Sequence, residues 1–235
     1  MRRLPIAIYG AAAYLAGLAC FLVFILFVLG FGLPRSLDNG PSAPTLVALA
    51  GDLGLIALFG VQHSVMARGP FKRWLTALIP QEIERSTYVV ISGALLLVLV
   101  YFWRPLPAPL YQVHRGQLLL TGLAVLGWAL VFASSFFIDH FEMFGVRQTL
   151  LAPRPDDGTL RTPLLYKRVR HPLYLGLLIA FWSAPQMTAG HLLFSAGLTA
   201  YLFVGIFFEE RDLVARFGDQ YRNYRDRVCM LLPLP

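Results

Sequence analysis

The charges in this chain of 235 residues fall into short clusters separated by long apolar stretches, and that spacing limits the fold more than any other feature. Residues 6–31, 46–66, 88–103, 118–138, 173–187 and 191–208 are predominantly apolar. A helix needs about 20 apolar residues to cross a bilayer, with a range of about 17–25. Hydrophobic residues make up 57% of the chain and charged residues only 14%, a balance that a water-soluble domain does not reach. The expected fold is an all-α integral membrane protein. Ser86 and Thr87 can lengthen the short third stretch, and Pro185 ends or kinks the fifth. Residues 173–208 then form a C-terminal helical hairpin turning at Thr188, Ala189 and Gly190. The count is five to six transmembrane helices, followed by a short cytosolic helical tail.

Basic residues set the orientation. With six crossings and the N-terminus inside, all Lys and Arg except Arg35, Arg104 and Arg115 fall on the cytosolic side, Arg2 and Arg154 included. Both termini are then cytosolic, and a bacterial inner (plasma) membrane is the expected location. Anionic lipid headgroups account for the net charge of +7, so membrane lipid is the expected partner and nucleic acid is not. The first stretch is too long for a signal peptide and lacks a small-residue cleavage site, so it reads as an anchor. Cys20 and Cys229 stand apart with no metal spacing, and neither a disulfide nor a metal site is expected.

This topology sorts the polar residues by depth. Asp38, Asn39, His114 and His191 are scattered on the outer side, too few for a transport path. The inner side is rich: Gln62, His63 and Ser64 close the second helix, and Asp139, His140 and Glu142 close the fourth. His171 and Tyr174 open the fifth, while Glu209, Glu210, Arg211 and Asp212 close the sixth. Ionisable groups at membrane depth are costly and mark a functional pocket. Each also has a plainer role as a cap, a headgroup anchor or the start of a solvated helix.

Their combination around Arg170-His171-Pro172-Leu173-Tyr174-Leu175-Gly176 points further. Pro172 starts a helix whose N–H groups and positive end can hold a carboxylate. His171 and Tyr174 share one face at i, i+3 and offer donors and an aromatic surface. Gly176 lets a ligand or a helix approach closely. Glu209 and Glu210 can accept from ribose hydroxyls or an ammonium. A zwitterionic, cationic ligand such as S-adenosylmethionine suits that set, with Arg170 beside it. In the tail, Gly218 is a C-cap candidate, and Tyr221 and Tyr224 at i, i+3 face the pocket mouth or anchor at the interface.

Arg170-His171-Pro172-x-Tyr174-x-Gly176, Glu209-Glu210 and Phe217-Gly218-x-x-Tyr221-x-x-Tyr224 resemble the C-terminal signature of the isoprenylcysteine carboxyl methyltransferase superfamily. A narrower resemblance covers almost the whole chain. Gln62-His63-Ser64-Val65-Met66-Ala67-Arg68, Glu84-Arg85-Ser86-Thr87-Tyr88 and the run from Asp139 to Gln148 are similar to the membrane-bound methanethiol S-methyltransferases. The NnrU-like proteins of denitrifying bacteria share part of the pattern. The resemblance implies a single membrane domain. Residues 1–140 form its four-helix part, and 141–235 its cofactor-binding loop, hairpin and tail. It also implies S-adenosylmethionine as methyl donor, without metal or haem, and methanethiol as a small thiol substrate, giving dimethyl sulfide. Arg170, His171, Tyr174, Gly176, Glu209, Glu210, Tyr221 and Tyr224 are the expected cofactor-binding residues.

The thiolate is the nucleophile, so a base must take the thiol proton. Histidine suits neutral pH. His140, oriented by Asp139 or Glu142, is the first candidate, and His63 the second. Glu142, Arg147 and Gln148 are candidates for substrate or cofactor contact. Two alternatives remain open on sequence: a prenylcysteine-type carboxyl methyltransferase and a non-catalytic, NnrU-like denitrification accessory protein.

Overall fold

The computed structural model describes residues 3–151 and 158–232; Arg2 and Arg154, counted above among the inner-side charges, lie outside the described residues. Among the described residues, five helices are long and apolar enough to cross a membrane. They are α1 (Arg3–Leu29), α2 (Thr45–Met66), α4 (Glu84–Phe102, preceded by a 3-10 turn at Gln81–Ile83), α5 (Gln117–Ile138) and α9 (Ala189–Phe217). Shorter helices are α3 (Gly69–Thr76), α6 (His140–Met143), α7 (Val146–Thr149), α8 (Pro172–Trp182) and α10 (Asp219–Arg225). The all-α integral membrane expectation holds, with one small addition: β1 (Pro109–Gln112) pairs with β2 (Gln186–Thr188).

Three boundaries differ from the hydropathy reading, each for a physical reason. The third span begins at Glu84, because Ser86 and Thr87 are carried into the helix. The fifth stretch becomes an 11-residue helix, α8, about 16 Å long and so short of the roughly 30 Å hydrocarbon core. Pro185 diverts the chain after it into β2, so the turn into α9 spans residues 183–188. Finally, α9 does not stop at residue 208. Its 29 residues make a rod of about 44 Å, so about a third of it extends past a bilayer core, and Glu209 and Glu210 sit within the helix.

Two compact units make up the chain. The first comprises the described parts of Met1–Tyr111, Phe141–Arg154 and Gln186–Phe194. Here α1 packs on α4 and α4 on α2. Gly17 of α1 lies directly against the Val89 side chain, the small-residue contact that lets membrane helices approach. The segment carrying α6 and α7 docks on these helices. Arg85 Nε donates to the Met143 carbonyl at 2.9 Å, the Arg85 amide donates to Gln148 Oε1 at 3.2 Å, and Phe144 meets Tyr14 edge-on. At the other end of the same unit, Asp38 accepts from the Thr188 hydroxyl and lies 3.8 Å from His191, and the Thr188 oxygen in turn caps α9 through the His191 amide. Two of the scattered outer residues are thus one capping cluster.

The second unit comprises the described parts of Gln112–His140, Pro155–Pro185 and Ser195–Pro235. Its centre is the crossing of α5 and α8. A Cβ on Gly127 would stand 2.6 Å from the Ala180 amide nitrogen, and one on Gly176 would stand 2.7 Å from the Gly127 carbonyl, so only hydrogen fits on either side. Gly127→Ala is therefore expected to cost about 1–3 kcal/mol through forced separation of the helices. Gly122→Ala on the same helix, with nothing within 4 Å, is expected to cost nothing or to stabilise slightly. Thermal unfolding in detergent checks this; equal melting temperatures for the two variants would contradict it.

Candidate active site

Arg170 and His171 are placed by the chain around them. A 3-10 turn at Leu164–Lys167 and the Pro172 start of α8 leave Val169, Arg170 and His171 outside any helix, and the tail pairs with them. Val169 forms a parallel bridge with Cys229, the Arg170 amide donates to the Cys229 carbonyl at 2.9 Å, and the His171 amide to that of Met230 at 3.1 Å. The backbone groups ahead of α8, which no helix satisfies, thereby find partners.

The side chains then meet on α9. Arg170 Nε donates to Glu210 Oε1 at 2.7 Å, and its Nη1 donates to the carbonyls of Val228 at 2.6 Å and Arg225 at 3.0 Å. His171 Nε2 donates to the same Glu210 oxygen at 3.0 Å. One turn of α8 onward, the Tyr174 hydroxyl donates to Glu209 Oε2 at 2.8 Å, and His171 Nδ1 lies 3.9 Å from that oxygen. The two glutamates differ in exposure: the side chain of Glu210 is 16% exposed and that of Glu209 44%. Glu210 is the half-buried counter-ion of Arg170, and Glu209 is the carboxylate turned to the surroundings. Two carboxylates and one guanidinium thus meet around His171.

The tail tyrosines support this cluster from beneath. Tyr221 is buried beside the Glu210 carboxylate, and burial followed by that charge pushes its hydroxyl well above the usual phenol range. Tyr224 donates to the Tyr166 carbonyl, and its hydroxyl is pushed up to about 12, first by burial and against the pull of Arg170. At Gly176 the close approach is that of helix α5, through the Gly127 carbonyl.

His140 lies in the same unit, 3% exposed, just past the end of α5. Its Nδ1 is 2.8 Å from Ser135 Oγ, and its ring stacks on Phe136 at 4.1 Å between centroids. Burial holds its pKa below the ordinary histidine value, while the neighbouring Asp139 charge pushes the other way. Asp139 caps α5 through its amide to the Ser135 carbonyl.

The remaining candidates belong to the first unit. His63 Nε2 is 2.8 Å from the Tyr88 hydroxyl and its Nδ1 3.3 Å from Ser92 Oγ, with Phe59 stacked on the ring. Glu142 is exposed on α6 and its carbonyl accepts from Gly145, Arg147 is half-buried on α7, and Gln148 receives the Arg85 amide. Motif and residue type pointed to these residues without revealing such partners. Sequence reasoning missed Ser135, whose one signal is a Ser134-Ser135 pair inside an apolar helix, and the backbone carbonyls of Arg225, Tyr166 and Val228, which carry no signal at all.

The NnrU protein family matches residues 53–229. Methanethiol S-methyltransferase 1 of Bradyrhizobium diazoefficiens is 50% identical over 231 residues, which cover 96% of this chain and 81% of that protein. The methanethiol S-methyltransferase of Mycobacterium tuberculosis is 50% identical over 240 residues, covering 100% and 98%. That of Pseudomonas deceptionensis is 50% identical over 207 residues, covering 86% and 79%. No solved structure matches the chain.

Removing one member of a buried pair strands the other charge. Glu210→Gln, which leaves an Arg170 side chain only 11% exposed without its counter-ion, is expected to lower stability by about 3 kcal/mol. Glu209→Gln, at a more exposed carboxylate, is expected to cost under about 1 kcal/mol. Thermal unfolding of the two variants in detergent separates them, and a larger loss in Glu209→Gln would reverse the assignment.

Proposed function

The chain belongs to the NnrU protein family and is a methyltransferase, and from that premise we propose that it methylates the sulfur of a small thiol, with methanethiol as acceptor and S-adenosylmethionine as donor. The observation that carries this reading is the Arg170–His171–Glu210 clamp with Glu209 and Tyr174 standing outward from it. The residues fit such a donor. A carboxylate turned outward suits an ammonium or a sulfonium, and the Tyr174 ring, 5.4 Å from the buried His171 ring and tilted 40° to it, offers an aromatic edge for a nucleoside. Glu209 and Tyr174 would hold the polar groups of the donor, and Arg170, His171 and Glu210 would keep the two helices in register beneath it. Bound there, S-adenosylmethionine would supply a methyl group made electrophilic by its positive sulfur.

His140 takes the proton of the thiol. It is buried, and burial lowers its pKa, which favours the neutral imidazole that accepts a proton. His63 is the weaker choice, since both of its ring nitrogens are engaged by Tyr88 and Ser92. The methyl transfer joins a thiolate to a cation and yields neutral products, so low-dielectric surroundings favour it. Apolar α5 and α8 supply such surroundings and give a volatile, lipid-soluble thiol a way in from the bilayer. The distribution of basic residues supports both termini lying in the cytosol of a bacterial inner membrane.

Detergent-purified protein given S-adenosylmethionine and methanethiol is expected to release dimethyl sulfide, measurable in the headspace by gas chromatography. His140→Ala is expected to slow turnover by about 10²–10⁴-fold. Turnover of long-chain thiols or carboxylates alone would contradict the acceptor. The pH profile carries its own sign. The active form of His140 is neutral, and its pKa is depressed, so kcat/KM should hold as pH falls through the ordinary histidine value of about 6.5 and decline only below it. Asp139→Asn removes the charge that opposes this depression and is expected to move the acid limb to still lower pH; a move to higher pH would contradict it.

A further inference from the structure

The serine five residues before His140 settles which of its nitrogens carries the hydrogen. Ser135 is 4% exposed and lies one turn from the end of α5. Its hydroxyl has a single hydrogen. That hydrogen goes to the Phe132 carbonyl, 2.7 Å away, which can only accept. The same oxygen lies 2.8 Å from His140 Nδ1. With its own hydrogen committed, Ser135 Oγ can only accept there, so Nδ1 must bear the hydrogen. In a neutral imidazole the lone pair is then on Nε2. The opposite tautomer would set the Nδ1 lone pair against an oxygen lone pair in a buried place, a contact with no hydrogen in it. Stacking on Phe136, with the two planes 7° apart, fixes the ring so that the choice of nitrogen is also a choice of direction.

We propose that Ser135 is a positioning residue that selects the Nδ1–H tautomer of His140 and so presents the Nε2 lone pair as the proton acceptor for the thiol. The catalytic half of this inference rests on the reading of His140 as the base. The proton balance is simple. The S–H bond breaks, sulfur keeps the electron pair, and the proton adds to Nε2. The resulting imidazolium still donates from Nδ1 to Ser135, so no second proton moves and the serine hydroxyl does not turn. A neutral acceptor at Nδ1 also steadies the cation without forming a second charge beside it.

The test is nitrogen NMR of protein labelled with ¹⁵N-histidine in detergent micelles, the His140 signals being identified by their loss in His140→Gln. At neutral pH the wild type is expected to show a protonated Nδ1 and a bare Nε2; a protonated Nε2 would overturn the inference without recourse to any variant. Ser135→Ala is expected to lose the Nδ1–H preference and to lower kcat by about 10- to 100-fold, with the thiol KM little changed. Ser135→Thr keeps a hydroxyl within reach of the same carbonyl and is expected to restore both tautomer and rate. Retention of Nδ1–H in Ser135→Ala would overturn the role of the serine. A changed tautomer with an unchanged kcat would overturn the base assignment of His140 while leaving the tautomer assignment in place.

Discussion

A guanidinium only 11% exposed, at the start of an apolar helix, has to be neutralised where it stands. Glu210 does so for Arg170, and much of the second unit follows from that pairing. The carboxylate must come from α9, so α9 has to remain helical past its apolar span. The remaining guanidinium donors need acceptors, and the carbonyls of Arg225 and Val228 fold the tail back to provide them. The tail in turn pairs with Val169, Arg170 and His171. One half-buried ion pair thus joins the entrance of α8, the far end of α9 and the C-terminal segment. Glu209, adjacent in sequence, is more exposed and accepts from the Tyr174 hydroxyl instead.

The same unit carries two kinds of polarity. The Arg170 cluster is ionic, satisfied by charge and by backbone carbonyls. The His140 environment is less polar, made from a serine, a phenylalanine ring and a helix end, with the Asp139 charge beside it. A methyl transfer from a sulfonium to a thiol calls for both: charge to hold a cationic donor, and a neutral, poorly solvated base to take one proton. The close glycine crossing of α5 and α8 serves these groups indirectly, since Ser135 and His171 lie on or beside those two helices.

Most of the membrane architecture was legible in the sequence because hydropathy reports directly on burial in lipid. Its errors came where hydropathy and helicity part. Glu209 marks the place where the apolar run ends, not the end of the helix, since Glu, Arg, Leu and Ala continue a helix well in water. Residues 183–188 are apolar enough to read as part of a span, yet Pro185 and pairing with β1 make them a turn. The Arg170, His171, Tyr174, Glu209 and Glu210 cluster was legible because its members are ionisable and sit beside the apolar runs. Gln148 receives the Arg85 amide and so holds its own segment in the first unit, a partnership that no local pattern encodes. The division of labour between Glu209 and Glu210 depends on one residue's rotation about a helix axis, which is a matter of packing and not of motif.

The central claim is that the outward-facing carboxylate above the Arg170–Glu210 pair receives the methyl donor. Isothermal titration of the purified protein with S-adenosylmethionine, wild type against Glu209→Gln, tests it most directly. Saturable binding by the wild type, weakened by about 10- to 100-fold in the variant, is the expected result, the size of a charge-assisted hydrogen bond. Unchanged affinity in Glu209→Gln, with both proteins folded, would contradict it.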